Sequence, residues 1–252
     1  MESAVFRSYL DDIPDRKREL VVVNRTENDP VLGLLDRTFD RVTSAIRESQ
    51  RVGEAENLLC LVEDGDVVAT SPLSEVMDAL LLVNSDLYRT SSSGFERQRL
   101  PDVIRSLSDS VFSLRGYPMS NKEKLIFVLI SRVVEHTAWS NGVGTLRSTF
   151  QRLSRIRDEL GTWQVYQRLA EADVETHLYG VPDWIPDESA FVVHTGDDVD
   201  YRRSWCVVYR HPEDGDDAAL VAVETERNVW RGMWTFDDVR VRRADELLTT
   251  AF

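Results

Sequence analysis

Short apolar runs separated by polar turns fill residues 1–90 of the chain. The run ELVVVN predicts a strand over 19–24, and DPVLGLLDRTFDR predicts the helix that follows it. In ENLLCLVEDGDVVATS, two apolar runs flank Asp64-Gly65, which predicts a β-hairpin because Gly accepts the positive φ of a two-residue turn. SPLSEVMDALLLV then resumes the spacing of a helix. We therefore expect a small N-terminal α/β layer.

The most apolar helical pattern is SNKEKLIFVLISRVVEHTAWSNG, residues 120–142. Ser120 and Glu123 have the spacing of a capping box, and Asn141-Gly142 supplies a stop. Apolar residues fall on more than one side of this helix. We expect it to be covered on several sides, either at the centre of the fold or in a homodimer interface.

Strand and helix patterns follow one another from this helix to residue 252. TLRSTFQ and VETHLYG predict strands, with two helical pieces between them, LSRIRDEL and TWQVYQRLAEA, broken near Gly161. AFVVHTG, SWCVVYR, ALVAVETE and VWRGMWTF predict further strands, and DDVRVRRADELLTTAF a closing helix. The fold class is therefore α/β, a mixed β-sheet with flanking helices. The N-terminal layer spans 1–90, a polar connecting segment 91–119 and a C-terminal α/β core 120–252, which could also form one continuous domain.

Composition narrows the classes of partner. The 44 acidic residues outnumber the 30 basic ones, giving a net charge of −14 that is spread along the chain, so a nucleic acid is not expected as a direct partner. Lys17, Lys122 and Lys124 are the only lysines. An acidic, lysine-poor surface fits a halophilic protein, because concentrated salt screens the self-repulsion within a few Å.

The sequence also predicts a cytoplasmic protein without membrane insertion. It has no apolar run long enough to cross a bilayer, and its N-terminus is too polar for a signal peptide. Cys60 and Cys206 lie far apart and without metal-binding spacing, so both are expected to be small core residues.

Sequence motifs for catalysis are weak. NGVGTLRS could present backbone N–H groups to a phosphate, but a helix stop and a tight turn explain Gly142 and Gly144 better. The chain has neither GxxxxGK[ST] nor GxSxG. His177 and His194 could meet Cys206 as metal ligands, although nothing in their spacing requires it. We therefore predict no catalytic residue and no metal ligand, and no cofactor is assigned.

Aromatic residues are distributed unevenly. All six tryptophans follow residue 138. Trp139 ends the long helix, Trp184 lies in the turn YGVPDW, and Trp230 and Trp234 share one face of a predicted strand. Two interpretations stay open: an aromatic-lined ligand pocket, or packing in the core and against a partner.

Several short motifs, in order and spacing, resemble one known family. VVEHTAWSNGVGTLRSTFQ, YGVPDWIP, SWCVVY, ALVAVETE and WRGMWTFD are similar to the DICT sensory domain, named for diguanylate cyclases and two-component systems. The resemblance is densest over 125–237, and the preceding stretch looks like the N-terminal part of stand-alone haloarchaeal members. It implies a non-catalytic sensory module that accompanies histidine kinases, diguanylate cyclases or transcription regulators, with a proposed link to light responses and no established ligand.

The candidate ligand-binding residues come from these motifs, from the aromatic pattern and from carboxylates beside predicted elements. They are Glu135, Trp139, Gly142, Gly144, Phe150, Tyr179, Asp183, Trp184, Trp205, Glu224 and Trp234. The carboxylates among them could instead bind backbone amides or Arg side chains. Tyr179 and Trp184 are expected at the rim of the pocket.

The predicted function is a sensory or signal-transduction module that binds a small ligand or a partner protein. Only one predicted helix follows WRGMWTFD, so the signal is expected to pass to a separate histidine kinase or transcription regulator. An alternative is an enzyme that acts on a nucleotide or an aromatic metabolite in the same cleft. A transcription regulator would need a basic helix-turn-helix, which the sequence lacks.

Overall fold

A computed structural model describes residues 4–26, 32–33, 35, 46–50, 55–82, 100–115, 125–158, 161–186, 190–213 and 215–252. Within these ranges the chain is an α/β protein with eight helices and two mixed sheets, which confirms the predicted fold class. The helices are α1 (Ala4–Asp11), α2 (Leu73–Leu82), α3 (Asp102–Ser106), α4 (Leu125–Asn141), α5 (Ser154–Asp158), α6 (Thr162–Ala170), α7 (Val199–Arg203) and α8 (Asp238–Ala251). The strands are β1 (Arg18–Val23), β2 (Arg47–Ser49), β3 (Leu58–Glu63), β4 (Asp66–Pro72), β5 (Phe112–Arg115), β6 (Val143–Arg152), β7 (Asp173–Val181), β8 (Phe191–Thr195), β9 (Ser204–Arg210), β10 (Ala218–Glu226) and β11 (Val229–Thr235).

The N-terminal sheet has four strands in the order β2-β1-β3-β4. Strand β1 is parallel to β2 and antiparallel to β3. The β3–β4 hairpin turns at Asp64 and Gly65, whose φ values of 53° and 96° suit a turn with two positive φ angles, so this prediction is confirmed. The helix α2 is also where its spacing predicts it. Most of the helix predicted over 29–41 and the capping box at Ser120 and Glu123 lie outside the described residues.

The second sheet has seven strands in the order β5-β11-β10-β9-β6-β7-β8. Pairing is antiparallel from β5 to β6 and parallel from β6 through β7 to β8. The two helical pieces α5 and α6 form the crossover that parallel β6 and β7 require. The edge strand β5 lies inside the segment 91–119, which the sequence predicts as a connection. The pattern also failed to predict α1, β2, α3 and α7, each of which is short.

Different helices cover the two faces of the seven-stranded sheet. Along β9, Val207 and Tyr209 belong to the core cluster that contains α4, whereas Cys206 and Val208 pack with residues of α1 and α8. This division follows from the two-residue alternation of strand side chains. The larger cluster also includes β1, β3 and α2, so one core joins both sheets.

The helix α4 lies at the centre of the fold. It contacts β6, β9 and β10 on one side and the helices α2 and α6 on others. Eleven of its residues are buried, including the polar Ser131, Arg132 and Glu135. The prediction that this helix is covered on several sides is confirmed, and the elements that cover it belong to the same chain. No helix in the described part of the protein is long and apolar enough to cross a membrane.

Candidate functional site

A small cavity of about 40 Å³ lies between α4, the crossover helices α5 and α6, and the strands β6 and β9. Its size allows a few ordered waters or a very small ligand. Three predicted site residues, Glu135, Phe150 and Trp205, line it. The other lining residues are Val128, Ser131, Arg132, Thr149, Gln151, Arg155, Thr162 and Val207.

A buried ion pair forms part of the wall of this cavity. Arg132 and Glu135 are only 5% and 2% exposed, and the Arg132 guanidinium donates to Oε2 of Glu135. Because both charges have left water, each needs its hydrogen-bonding partners. Arg132 Nη2 also donates to Thr162 Oγ1 at 2.6 Å, and Tyr166 Oη donates to Glu135 Oε1 at 3.2 Å. The pair therefore joins α4 to α6.

Tyr166 remains a hydrogen-bond donor in this network. Burial, followed by the charge of Glu135, raises the pKa of Tyr166 well above its ordinary value. The neutral hydroxyl is the form that can donate to a carboxylate.

Trp205 contributes an aromatic wall that is fixed by polar and ring contacts. Its Nε1 donates to Ser131 Oγ at 3.1 Å, which attaches β9 to α4. The ring lies 5.4 Å from Phe127 and 6.1 Å from Trp230, measured between centroids. On the strand side, Thr149 Oγ1 accepts a hydrogen bond from the backbone N–H of Cys206 at 2.8 Å.

The glycines and Trp139 have local structural roles at the α4–β6 turn. Gly142 has a φ of 68°, and its N–H donates a hydrogen bond to the carbonyl oxygen of Ala138. The helix ends at this glycine. Gly144 has a φ of 103°, and a Cβ there would lie 2.3 Å from the carbonyl oxygen of Arg210. Trp139 packs at 5.9 Å from the ring of His136. None of these three predicted residues lines the cavity.

The turn YGVPDW is divided between the two faces of the sheet. Tyr179 lies 5.2 Å from the ring of Phe252, which follows α8, whereas Trp184 lies 5.7 Å from Trp163 of α6. Neither residue lines the cavity, so the expectation that both form its rim is not met. Tyr179 and Trp184 are separated because the chain turns after β7. Asp183 holds this turn, since it accepts hydrogen bonds from the backbone N–H and the hydroxyl of Ser154.

Two other predicted residues support the fold. Glu224 accepts a hydrogen bond from the N–H of Asn228 at 2.8 Å in the β10–β11 turn, as the alternative interpretation of the carboxylates expects. Trp234 is 1% exposed and packs edge-on against Phe112 at 5.1 Å. Both lie apart from the cavity lining. For Trp234, core packing is therefore the interpretation that the structure favours.

A second polar cluster lies under α8. His194 stacks on Tyr179 at 4.3 Å, and its Nε2 is 2.9 Å from Nδ1 of His177. Arg147 connects the cluster to α8, since it donates to Asp245 at 2.6 Å and to the hydroxyl of Tyr179 at 3.2 Å. Burial and the charge of Arg147 lower the pKa of both imidazoles below 6.5.

This cluster predicts a pH-dependent stability. The folded protein binds fewer protons here than the unfolded chain, so the free energy of unfolding should fall as the pH drops below about 6.5. Glu175, 3.2 Å from His177, opposes the lowering of the His177 pKa, while the charge of Arg147 adds to it. In urea titrations at about pH 7 and about pH 5, His194→Gln should lose less stability than the wild type.

The matched control is His211→Gln, because His211 lies in a turn outside the cluster and contacts Glu213. Its pH slope is the reference with which the slope of His194→Gln is compared. Equal pH slopes in the wild type and His194→Gln would refute the assignment.

Metal binding finds no support in the described residues. No group of three His, Cys, Asp or Glu side chains there is placed to hold an ion. Cys60 and Cys206 are buried thiols, as predicted, and burial raises the pKa of Cys206 to about 12.

Comparison with known proteins identifies no relative. No protein-family model matches this chain, and no curated protein does. Among solved structures, polyphosphate kinase from Porphyromonas gingivalis matches with a TM-score of 0.34 and 11% identity, covering 96% of this chain. The chain spans 47% of that kinase, and a match at this level carries no argument about fold or function.

The polar side of the cavity was not predicted from the sequence. Arg132 lies on α4, whereas Thr162 and Tyr166 lie on α6, so no local spacing predicts that they meet. One signal was present: Arg132 and Glu135 interrupt an otherwise apolar run at helical i,i+3 spacing. Two charges at buried helical positions are a reason to expect a buried pair.

Proposed function

We propose that this chain is a sensory or signal-transduction module that binds a small ligand in the cavity beside α4 and passes the signal to a separate effector protein. The observation that carries the proposal is the Arg132–Glu135 pair, which is buried in the cavity wall and holds α4 to α6. A ligand that changes these hydrogen bonds changes the packing of the helix that joins the two sheets.

A ligand can pass on a signal in this way only if it binds two conformations of the protein with different affinities. It then shifts the equilibrium between the two conformations by the difference in its binding free energies. The central helix offers a route for such coupling, because it contacts α2 of the N-terminal layer as well as the seven-stranded sheet. The resemblance to the DICT domain adds to the proposal, as does the site shared by Glu135, Phe150 and Trp205. In this proposal the protein is cytoplasmic and its effector is a histidine kinase or a transcription regulator.

Native mass spectrometry of freshly purified protein, in search of a retained small molecule, tests the proposal. A panel of nucleotides, aromatic metabolites and organic acids is then screened by thermal shift, and hydrogen exchange is measured with each compound that binds. We expect slower exchange over 125–141 and 162–170. If the protein converts a bound compound, the alternative of an enzyme is favoured. If no compound of the panel binds, the protein is better described as a module that interacts only with other proteins.

Tryptophan fluorescence reports the location of binding. Trp205 lines the cavity, whereas Trp139 does not. The emission change on ligand binding should disappear in Trp205→Phe and persist in Trp139→Phe. The reverse result would place the ligand elsewhere.

A further inference from the structure

Aromatic side chains surround Phe252, the residue that follows α8. Its ring centroid lies 6.0 Å from that of Phe6 in α1, 5.2 Å from that of Tyr179 in β7 and 4.6 Å from that of Tyr201 in α7. The rings of Tyr201 and Phe252 meet at 73°, an edge-to-face arrangement that aromatic pairs favour. Tyr201 Oη also donates a hydrogen bond to the carbonyl oxygen of Phe252 at 3.3 Å. Phe6, Tyr179 and Tyr201 therefore form a pocket, here called the aromatic pocket, that accepts one aromatic residue and its carbonyl group.

The walls of the aromatic pocket are held by the rest of the fold. Its three wall residues are buried, and Phe6 belongs to the core cluster under α1 and α8. The ring of Tyr179 stacks on His194 at 4.3 Å. The ring of Tyr201 lies directly on Gly196, where a Cβ would meet it at 2.2 Å. Because of these contacts, we expect the pocket to keep its shape when Phe252 leaves it.

Residues 249–252, here called the strap, are held less firmly than the walls. The last buried residue of α8 is Leu248, and Ala251 and Phe252 are only partly buried. Both threonines of the strap are exposed, and their hydroxyls donate to carbonyl oxygens of α8 itself. Local opening costs least where a segment makes few buried contacts, as at the end of a helix. We therefore expect the strap to leave the pocket while the rest of α8 stays packed.

We propose that the aromatic pocket is a docking site for a partner protein that presents an aromatic residue, and that the strap occupies this site in the free protein. Phe252 shows the chemistry of that partner, since the pocket offers ring contacts and the Tyr201 hydroxyl as a donor to a backbone carbonyl. A partner has to displace the strap, whose attachment to α8 gives it a high effective concentration at the pocket. The strap is therefore an autoinhibitory contact. This inference goes beyond the proposed function, because it needs neither the cavity beside α4 nor its ligand.

The test supplies the strap from outside the chain. The full chain with Phe252→Ala lacks the ring that fills the pocket, and the probe is a peptide of residues 246–252, ELLTTAF, with both ends blocked. In NMR titrations, Phe252→Ala should bind this peptide saturably. The wild type should bind it about tenfold or more weakly, because its own strap occupies the pocket. Equal binding by the two proteins, or no saturable binding to Phe252→Ala, would overturn the proposal.

Altered peptides and a wall variant test the chemistry of the occupant. The peptide with Phe252→Ala should show no saturable binding, and the peptide with Phe252→Leu should bind more weakly than ELLTTAF, because leucine lacks the edge-to-face contact. In the Phe252→Ala protein, the further change Tyr201→Phe removes the hydroxyl that donates to the carbonyl and should weaken binding about threefold. Equal affinities for the three peptides would refute an aromatic-specific pocket.

Phe236→Ala is the matched control. Its ring lies 4.6 Å from the guanidinium carbon of Arg105 and is not part of the aromatic pocket. This variant should bind ELLTTAF as weakly as the wild type does. If Phe252→Ala does not fold, Phe252→Leu replaces it, since leucine keeps most of the apolar contact and should still give tighter peptide binding than the wild type.

Hydrogen exchange on the wild type tests the strap without any substitution. The amide protons of 249–252 should exchange about tenfold or more faster than those of 241–248, because the strap opens locally. If the two ranges are equally protected, Phe252 is a residue of the core alone and the proposal is wrong. Either result leaves the test of a ligand in the cavity beside α4 unaffected, so the two proposals fail separately.

Discussion

Replacing Arg132 with Met should lower the free energy of unfolding by about 3–5 kcal/mol, because it leaves the buried Glu135 carboxylate without the guanidinium that bonds it. The same change removes the donor to Thr162 and loosens the contact between α4 and α6. Urea unfolding followed by circular dichroism, at constant KCl concentration, measures the loss.

The double variant Arg132→Met/Glu135→Leu is the decisive companion. Apolar side chains of similar volume remove both desolvation penalties together, so most of the lost stability should return, to within about 2 kcal/mol of the wild type. Arg157→Met is the matched control, because its ion pair with Asp158 and its contact with the Trp184 ring lie near the surface and each contributes about 1 kcal/mol or less. A single variant as stable as the double variant would show that the pair is not buried as described.

Replacing Trp234 with Ala should lower the free energy of unfolding by about 3–5 kcal/mol, the range for removing a large aromatic side chain from a core. Trp234 is 1% exposed and packs against Phe112, so the strands β11 and β5 both lose a contact. Thermal or urea unfolding checks the loss, and binding of cavity ligands should persist wherever the variant is folded.

Trp184→Ala provides the contrast. Trp184 is only partly buried, between the ring of Trp163 and the guanidinium of Arg157, so its loss should destabilise the protein less than that of Trp234. Because Trp184 does not line the cavity, we also expect ligand binding to survive. If the Trp184→Ala variant stays folded but no longer binds the ligand, Trp184 belongs to the ligand site.

Local patterns were sufficient for most of the elements. The spacing of apolar residues located α4, the hairpin at Asp64-Gly65 and the strands β6 to β11, because each pattern reports burial over a few adjacent residues. The sequence did not predict α1, a helix of only 8 residues, or β5, a strand of only 4 residues. Strand β5 exists by pairing with β11, which lies more than a hundred residues along the chain.

The candidate site was predictable only in part, for a related reason. Glu135, Phe150 and Trp205 were found from motifs and residue type, and they do share one cavity. Tyr179, chosen with Trp184 from one turn, lies on the other face of the sheet. Proximity in sequence does not determine the face, because side chains alternate along a strand and the chain reverses after it.

The sequence by itself determined the α/β class, the central apolar helix and the acidic charge of this protein, since these depend on composition and on periodicity within single elements. The tertiary structure alone decided that Arg132 meets Thr162 and that Trp205 meets Ser131, contacts across 30 and 74 residues of chain. Such contacts depend on the strand order β10-β9-β6-β7 and on the helices laid over it. The physical reason is that buried polar groups must find partners wherever the whole fold places them, and no local pattern records that choice.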